Sequence, residues 1–430
     1  MADSPARTGL SITAPGRAPG PAAKLLTLPW SIPLAQWPED VLAALPRGIS
    51  RHVVRFARLG EATVAVKETT QELAFREYHL LRALERKDVP SVEPLGVVTG
   101  RTDADGRPLP AILVTRHLRF SLPYRAVFSQ RMRRPTLVRL MDALALLMVQ
   151  LHLEGFFWGD VSLSNVLFRR DAGAFAAYLV DAETGELREQ LSDGQRAHDL
   201  EVARTNVVGE LMDLAAGDMA DADVDPFETS EMLVEAYTRL WEELTADTEF
   251  APEESWRVEE RIRRLNELGF DVEEYALRPV DDGARLVLQP KVVDPGHHHR
   301  RLMQLTGLDV QENQARRLLQ DIESRRQAVY PDATEAEAAH RWLVEIFEPL
   351  ARRVPEDLRH KLESAEVMHQ VLEHRWYMAE RQERDVHFWE AVEDYIAQVL
   401  AARRDEDAVV LHPTTTMLKA VPTPFASDDA

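Results

Sequence analysis

Three polar residues in one short stretch carry most of the chemical information in this chain. Asp160 and Asn165 stand five apart in Phe157-Trp158-Gly159-Asp160-Val161-Ser162-Leu163-Ser164-Asn165-Val166-Leu167-Phe168, and Asp181 ends the apolar run Tyr178-Leu179-Val180-Asp181. The spacing reads as a polar turn, a strand, and a returning strand that ends on a carboxylate. Moving a phosphoryl group from a nucleotide needs such a set: Asp160 to orient an acceptor hydroxyl, Asn165 and Asp181 to hold a divalent cation on the phosphates. An isolated Asp-x4-Asn is more often the turn of a plain β-hairpin, so the weight falls on what lies upstream.

Upstream stands Lys67, one of six lysines against 45 arginines. It closes the alternating run Glu61-Ala62-Thr63-Val64-Ala65-Val66-Lys67-Glu68, a strand whose hairpin partner is the stretch from Arg51 to Phe56 across Gly60. A lysine at a strand end offers a compact charge to phosphate. It needs a carboxylate to fix it, and the helical segment from Gln71 to Glu85 supplies one. Leu73, Leu80, Leu81 and Leu84 form an apolar face at helical spacing, and Glu77 falls on that face. Glu72 shares the opposite stripe with Arg76 and His79 and faces water. A carboxylate turned toward a core wants a charged partner.

With these residues in place the chain resembles the protein-kinase-like superfamily. Val64-Ala65-Val66-Lys67 resembles its strand-3 lysine motif, and Phe75-Arg76-Glu77 resembles the helix glutamate that pairs with it. The run from Leu151 to Asp160, with Asn165, resembles the end of the central helix and the catalytic loop. Asp181-Ala182-Glu183 stands where the metal-binding Asp-Phe-Gly would be. The agreement covers roughly residues 45 to 215. It is most similar to atypical small branches such as lipopolysaccharide kinases and aminoglycoside-type phosphotransferases. Residues from about 235 to 400 resemble an actinobacterial domain of unknown function. The first resemblance implies ATP and Mg2+ as cofactors, with Lys67 and Glu77 on the phosphates. It also implies a hinge at Thr115, Arg116, His117 and Leu118 for the base, Asn165 and Asp181 on metal, and Asp160 as the catalytic residue.

The departures from that pattern are specific. No Gly-x-Gly-x-x-Gly precedes Lys67; Gly48 and Gly60 are the glycines near the first strands. Ser162 stands where relatives often carry Lys or His. Glu183 replaces the glycine of Asp-Phe-Gly and is either an added cation ligand, since hard cations take carboxylate oxygens, or a solvated side chain. These changes leave open a nucleotide-binding pseudokinase that serves as a regulatory or interaction module, and also transfer of adenylate in place of phosphate.

Composition bounds the rest. At 430 residues and 45% apolar content the chain can build two cores. A net charge of −21 opposes nucleic acid or an anionic membrane as a general partner. The sequence has no cysteine, which excludes disulfides and thiolate chemistry and fits a cytoplasmic protein. The most apolar stretch, Ala143 to Val149 within a helix from Thr136 to Glu154, is expected to be the buried central helix and too short to span a membrane. Gln195, where the next helix is expected, lies fourteen positions after Asp181. That leaves no room for a long peptide-docking segment and favours a small-molecule, sugar or lipid acceptor, with a protein acceptor still open because some compact kinases phosphorylate proteins. Asp199 is either a brace for the catalytic loop or a carboxylate at a helix start.

The expected fold is α+β. A bilobal kinase-like domain spans 25–245, with a small β-rich N-lobe at 25–118 and a helical C-lobe at 119–245. A mostly α-helical C-terminal domain with one β-hairpin, across Asp281-Asp282-Gly283, spans 250–403 and offers a surface for a protein partner. The tails, 1–24 and 404–430, are expected to be disordered. Three features of the C-terminal domain are weaker. His297-His298-His299 reads as a polar loop. His369 and His374 stand five apart, off the spacing that brings metal ligands to one helix face. Leu302 to Arg317 mimics a helix-turn-helix, with net acidity against DNA binding.

Overall fold

The computed structural model describes residues 9–15, 24–43, 52–60, 62–129, 132–219, 221, 223–251, 254, 256–280 and 285–406. Gly48, Arg51, Glu61, the Asp281-Asp282-Gly283 turn and residues 407–430 lie outside the described residues.

The N-lobe consists of β1 (Ser11–Thr13), β2 (Val54–Leu59), β3 (Ala62–Thr69), α1 (Gln71–Arg86), β4 (Pro94–Thr99) and β5 (Ala111–Arg116). Its five strands form an antiparallel sheet in the order β1-β4-β5-β3-β2, with Lys67 paired to Leu113 on one side and Val54 on the other. The alternation in β3 does what it predicts: Val64 and Val66 point into a core with Ile112, Val114, Leu95 and Val98. Leu25, Trp30, Leu34 and Trp37 seal that face, so the proline-rich stretch after residue 24 does wrap the lobe. One buried side chain ties the wrap down. The Arg101 guanidinium donates to Trp30 O (3.0 Å), Ile32 O (2.7 Å) and Glu68 Oε1 (2.8 Å). Ser11–Thr13, expected in a disordered tail, instead adds an edge strand to β4. Short edge pairing needs only backbone groups, so its composition gives no warning.

The C-lobe runs through β6 (Ser121–Pro123), α2 (Tyr124–Phe128), α3 (Arg134–Leu153), β7 (Phe156–Phe157), β8 (Val166–Asp171), β9 (Ala174–Leu179), β10 (Glu186–Leu187), α4 (Asp193–Ala216) and α5 (Pro226–Thr245). At 20 residues α3 is long and apolar enough to cross a bilayer, which corrects the length argument. Its placement answers the question instead: Leu140, Met141, Leu144, Leu147, Met148 and Leu151 are buried in the lobe's core. Beneath α1 that core also takes Ala74, Tyr78, Leu81 and Leu84 from the N-lobe, so the two lobes share apolar contacts. The end of β9 adds polar ones, Leu179 N to Pro90 O (3.1 Å) and Val92 N to Leu179 O (3.0 Å). A small β-rich lobe on a helical one is the expected bilobal kinase-like fold.

The C-terminal unit contains β11 (Thr248–Phe250), α6 (Trp256–Glu267), β12 (Phe270–Val280), β13 (Arg285–Pro295), α7 (His297–Thr306), α8 (Glu312–Val329), α9 (Glu335–Trp342), α10 (Glu348–Arg353), α11 (Ser364–Gln382) and α12 (Phe388–Tyr395). The hairpin expected here gains β11 as a third strand, in the order β11-β13-β12. A separate core of Leu302, Leu318, Trp342, Leu350, Met368 and Leu400 holds the helices together. The three histidines form the first turn of α7 and not a loop. Asp271 pairs with His297 and Glu312 with His298 (2.7 Å), which draws the chain into helix after Gly296. His369 and His374 belong to different contacts, Glu373 and Asp394, and share no site. Residues 404–406 are not a free tail either: Glu406 is buried against Arg170.

Candidate functional site

The site forms where β3, α1 and the Asp181 turn meet. Lys67 Nζ lies 3.0 Å from Glu77 Oε2, 2.9 Å from Asp181 Oδ2 and 3.0 Å from Glu183 Oε2. Glu77 is there because its helix buries one face, and the carboxylate on that face is 1% exposed. Glu72 is exposed, as expected. Arg76, four residues on in the same expected solvent stripe, instead donates its guanidinium to Gly185 O (3.0 Å). Helix α1 thus grips both the lysine and the turn beyond Asp181.

One ammonium among three carboxylates leaves an excess of negative charge. Burial works against the charged lysine, but Glu77 and Asp181 outweigh it and hold its pKa above the ordinary value. Burial, with Asp181 adding repulsion, pushes the Glu77 carboxyl up to about 7 against the pull of Lys67. Glu183 is neither solvated nor outside the cluster: it meets Lys67 and also His52 Nε2 (2.9 Å). The ligand oxygens of Glu77, Asp181 and Glu183 lie within 4.8 Å of one another. A cluster of hard oxygen donors with surplus negative charge suits a small divalent cation such as Mg2+.

Asp160 and Asn165 occupy the loop between β7 and β8. Asn165 Nδ2 donates to Asp160 O (3.1 Å), and Asn165 O accepts from Val180 N (3.0 Å), the residue before Asp181. The five-residue spacing and the returning strand therefore bring Asp160, Asn165 and Asp181 to one end of the β8–β9 hairpin. Gly159, at φ +77°, makes the turn that a side chain would strain.

A stripe on α4 braces this loop. Asp199 Oδ2 accepts from Trp158 N (2.7 Å) and Oδ1 from Gly159 N (2.8 Å). It also meets His152 Nε2 (3.2 Å), whose Nδ1 is hydrogen-bonded to Tyr237 Oη (2.7 Å). The helix starts at Asp193, so Asp199 lies in its second turn and the helix-start alternative for this carboxylate falls away. Two further braces escaped the sequence reading. Asn206 Nδ2 donates to Val161 O (2.9 Å) and lies 3.4 Å from Asp160 Oδ1; Glu210 accepts from Leu163 N (2.6 Å) and Ser164 N (2.9 Å). Residues 199, 206 and 210 repeat at 7 and 4, one face of a helix, and that polar stripe was the available signal.

At the expected hinge, Thr115 pairs with Ala65 inside β5. Arg116 N donates to Glu93 O (2.8 Å) and His117 N to Thr63 O (3.0 Å), so both N–H groups are already used. The Arg116 side chain is turned to Glu93. Among the described residues, Leu118 N–H has no backbone acceptor.

Residues 56–227 match the family model described as the Lipopolysaccharide kinase (Kdo/WaaP) family, and residues 239–400 match one described as Domain of unknown function (DUF4032). The first match contains Lys67, Glu77, Asp160, Asn165, Asp181 and the bracing stripe, so the expected resemblance to lipopolysaccharide kinases holds, as does the second resemblance. No curated protein matches the chain. Among solved structures, one described as WaaP in complex with acyl carrier protein is 18% identical, covering 54% of this chain and 90% of that chain at a TM-score of 0.34.

Proposed function

We propose that this chain is an ATP- and Mg2+-dependent phosphotransferase that moves the γ-phosphoryl group to a hydroxyl of a sugar or lipid acceptor. The observation that carries the reading is the convergence of Lys67, Glu77 and Asp181 into one cluster, 10 and 114 residues apart in sequence. It stands beside a loop whose Asp160 is fixed from α4. Lys67, oriented by Glu77, would hold the phosphates. Asn165 and Asp181 would hold Mg2+, which supplies charge neutralisation on the phosphate oxygens. Asn165 spends its amide nitrogen on Asp160, which turns its Oδ1 the other way. Asp160 would accept the hydrogen bond of the acceptor hydroxyl and take its proton as the oxygen bonds to the γ-phosphorus and the bond from that phosphorus to the bridging oxygen breaks, releasing ADP. Only β10 stands between Asp181 and the start of α4, which supports a compact acceptor over a docked peptide.

Two alternatives rest on Glu183, which occupies Lys67 where relatives have glycine: a regulatory nucleotide-binding module, and adenylate transfer. The product separates all three. ATP with Mg2+ should raise the melting temperature well beyond ATP alone, because a ligand that binds only the native state stabilises it by mass action. Asp181→Asn should remove most of that gain with the unliganded melting point nearly unchanged. Mass spectrometry of sugar and lipid acceptors should then show an added phosphate. That product should fall about 10²–10⁴-fold in Asp160→Asn, whose ATP affinity stays within a few-fold. An added adenylate, or no product from a protein that binds Mg2+–ATP, refutes the reading.

A further inference from the structure

The densest polar contact between the kinase-like lobes and the C-terminal unit is at the far end of the hairpin that carries the cation-holding residues. Asn165 immediately precedes β8 and Asp181 follows β9 by one residue, so both stand at the hairpin's base. Its tip is Asp171-Ala172-Gly173-Ala174, about 17–20 Å away at 3.3 Å per strand residue. The inner face packs on the C-lobe core through Phe168 and Ala177. The tip is gripped by something else.

Asp171 is buried, and both its oxygens are engaged at the start of α8. Oδ1 accepts from Gln314 N (2.7 Å), and Oδ2 from Asn313 Nδ2 (2.8 Å) and Asn313 N (3.2 Å). Gln314 Nε2 returns to Arg170 O (3.1 Å) and to Glu366 Oε2 (3.2 Å), and that Glu366 oxygen also accepts from Ala172 N (3.0 Å). Ala172 sits at φ +48°, a left-handed conformation that strains a non-glycine residue, and it is held there at the hydrogen bond from its N–H to Glu366. Flanking contacts close the grip: Arg169 to Glu363 (2.7 Å), Arg170 to Glu406 (2.7 Å), and Tyr178 Oη to Gln311 Oε1 (2.7 Å).

A two-stranded ribbon has little stiffness of its own. Here the third strand, β6, covers only Leu167 to Arg169 of β8. Buried polar groups that are hydrogen-bonded on every side rigidify what they join, as the Asp171 carboxylate is here. Five of the partners above, Gln311, Asn313, Gln314, Glu363 and Glu366, come from the C-terminal unit, on two of its helices and the residues just before them. Those two helices share the unit's apolar core through Leu318, Ile322, Met368 and Val371, so the contact is with packed elements. The same contacts occupy the start of α8, the second helix of the helix-turn-helix mimic, with the chain's own hairpin.

We propose that the C-terminal unit positions the hairpin that carries Asn165 and Asp181: Asp171 and Glu366 are positioning residues that act on the base of the hairpin by fixing its tip. The proposal rests on the roles given to Asn165 and Asp181 above, and its mechanical part can be read without them. A unit with this duty is a working part of the transferase and not an appended module.

The test is amide hydrogen exchange on the full chain, with Asp171→Ala and Glu366→Ala compared to wild type. Opening at the base is reported by the amides of Val180, bonded to Asn165 O, and Leu179, bonded to Pro90 O. Both should exchange at least tenfold faster in either variant, while the amides of β5 keep their rates. The Mg2+ concentration that half-saturates ATP-induced stabilisation should rise several-fold. Faster exchange confined to residues 312–316 and 171–174, with the base unchanged, overturns the proposal. If wild type shows no Mg2+-dependent stabilisation, the phosphotransferase reading fails, and the exchange result alone still decides the coupling. If both alanine variants fail to fold, Tyr178→Phe, which removes the hydroxyl that bonds Gln311 and faces Arg169, decides it by the same exchange measurement.

Discussion

Asp199→Asn removes charge from the brace of the catalytic loop without changing its shape. The carboxylate accepts two backbone N–H bonds, at 2.7 Å from Trp158 and 2.8 Å from Gly159, and is buried with His152 against it. An asparagine can keep one of these acceptors. Its NH2 then faces the other N–H, donor against donor, so one buried backbone N–H loses its partner. An orphaned donor costs about 1–3 kcal/mol, and the surviving bond loses its charge assistance, about 1 kcal/mol more. The sum, about 2–4 kcal/mol, corresponds to a fall in melting temperature on the order of 5–10 °C for a unit of this size. The functional effect should be larger than the stability effect. Asp160 directly follows Gly159, and a displacement of about 1 Å at a reacting group typically costs about 10²-fold in rate. Turnover should therefore drop about a hundredfold at temperatures where the variant is fully folded, with ATP affinity nearly unchanged because Lys67 and Asp181 are untouched. Urea titration and steady-state turnover at 20 °C check both halves. A variant with wild-type stability and wild-type turnover would show that Asp199 is an ordinary buried carboxylate and that the loop is held by Asn206 and Glu210 alone.

Three further outcomes follow from the same geometry. Lys67→Ala and Glu77→Ala should each weaken Mg2+–ATP binding, measured by calorimetry, and the double variant should lose clearly less than the sum of the two because both residues serve one contact; strict additivity would separate them. Arg101→Ala should destabilise the N-lobe by about 3–5 kcal/mol in denaturant titration, since it leaves Glu68 buried without its cation and frees the Trp30–Ile32 wrap; a loss under 1 kcal/mol would mean the wrap holds itself. Burial pushes the Asp171 carboxyl up to about 6, so its contribution to stability is full below about pH 3.8 and is lost as pH rises through about 6. The rise amounts to about 3 kcal/mol. Glu77 titrates in the same direction, so the informative quantity is the difference between wild type and Asp171→Asn: the variant should lose about 3 kcal/mol less between about pH 3 and about pH 8. Parallel curves would place Asp171 in a better-solvated site.

The legible part of the site was local. Lys67 stood out because lysine is rare here and the strand around it alternates; Glu77 because a helix has only one buried face. Asp160, Asn165 and Asp181 were found because a hairpin brings residues before and after it together, which is a property of strands and needs no tertiary knowledge. The stripe of Asp199, Asn206 and Glu210 was equally local, and was missed because polar residues on a helix are read by default as its wet face. Their wetness is decided by what lies opposite, and opposite them are loop N–H and C=O groups that no pattern displays. Arg101 is the same case in the N-lobe: its acceptors are backbone carbonyls of a proline-rich segment about 70 residues earlier.

The hairpin tip marks where sequence reasoning runs out in principle. Arg170, Asp171 and Ala172 read as turn residues, and Asn313 and Gln314 as the polar start of a helix; each description is correct and neither implies the other across more than 140 residues. Yet the local features carry a trace of the contact. A left-handed Ala172 where glycine would sit without strain, a carboxylate held fully out of water at a hairpin turn, and a Glu406 buried in a stretch composed like a tail are each unfavourable alone. Unfavourable local choices persist when something distant compensates them. Here the compensation is mutual: the C-terminal unit satisfies the turn, and the turn caps the start of α8 and adds the Ala172 N–H to the bonds that Gln314 and Gln370 already give the buried Glu366 carboxylate. Each surface completes the other, so the hairpin between Asn165 and Asp181 is shared structure of both units.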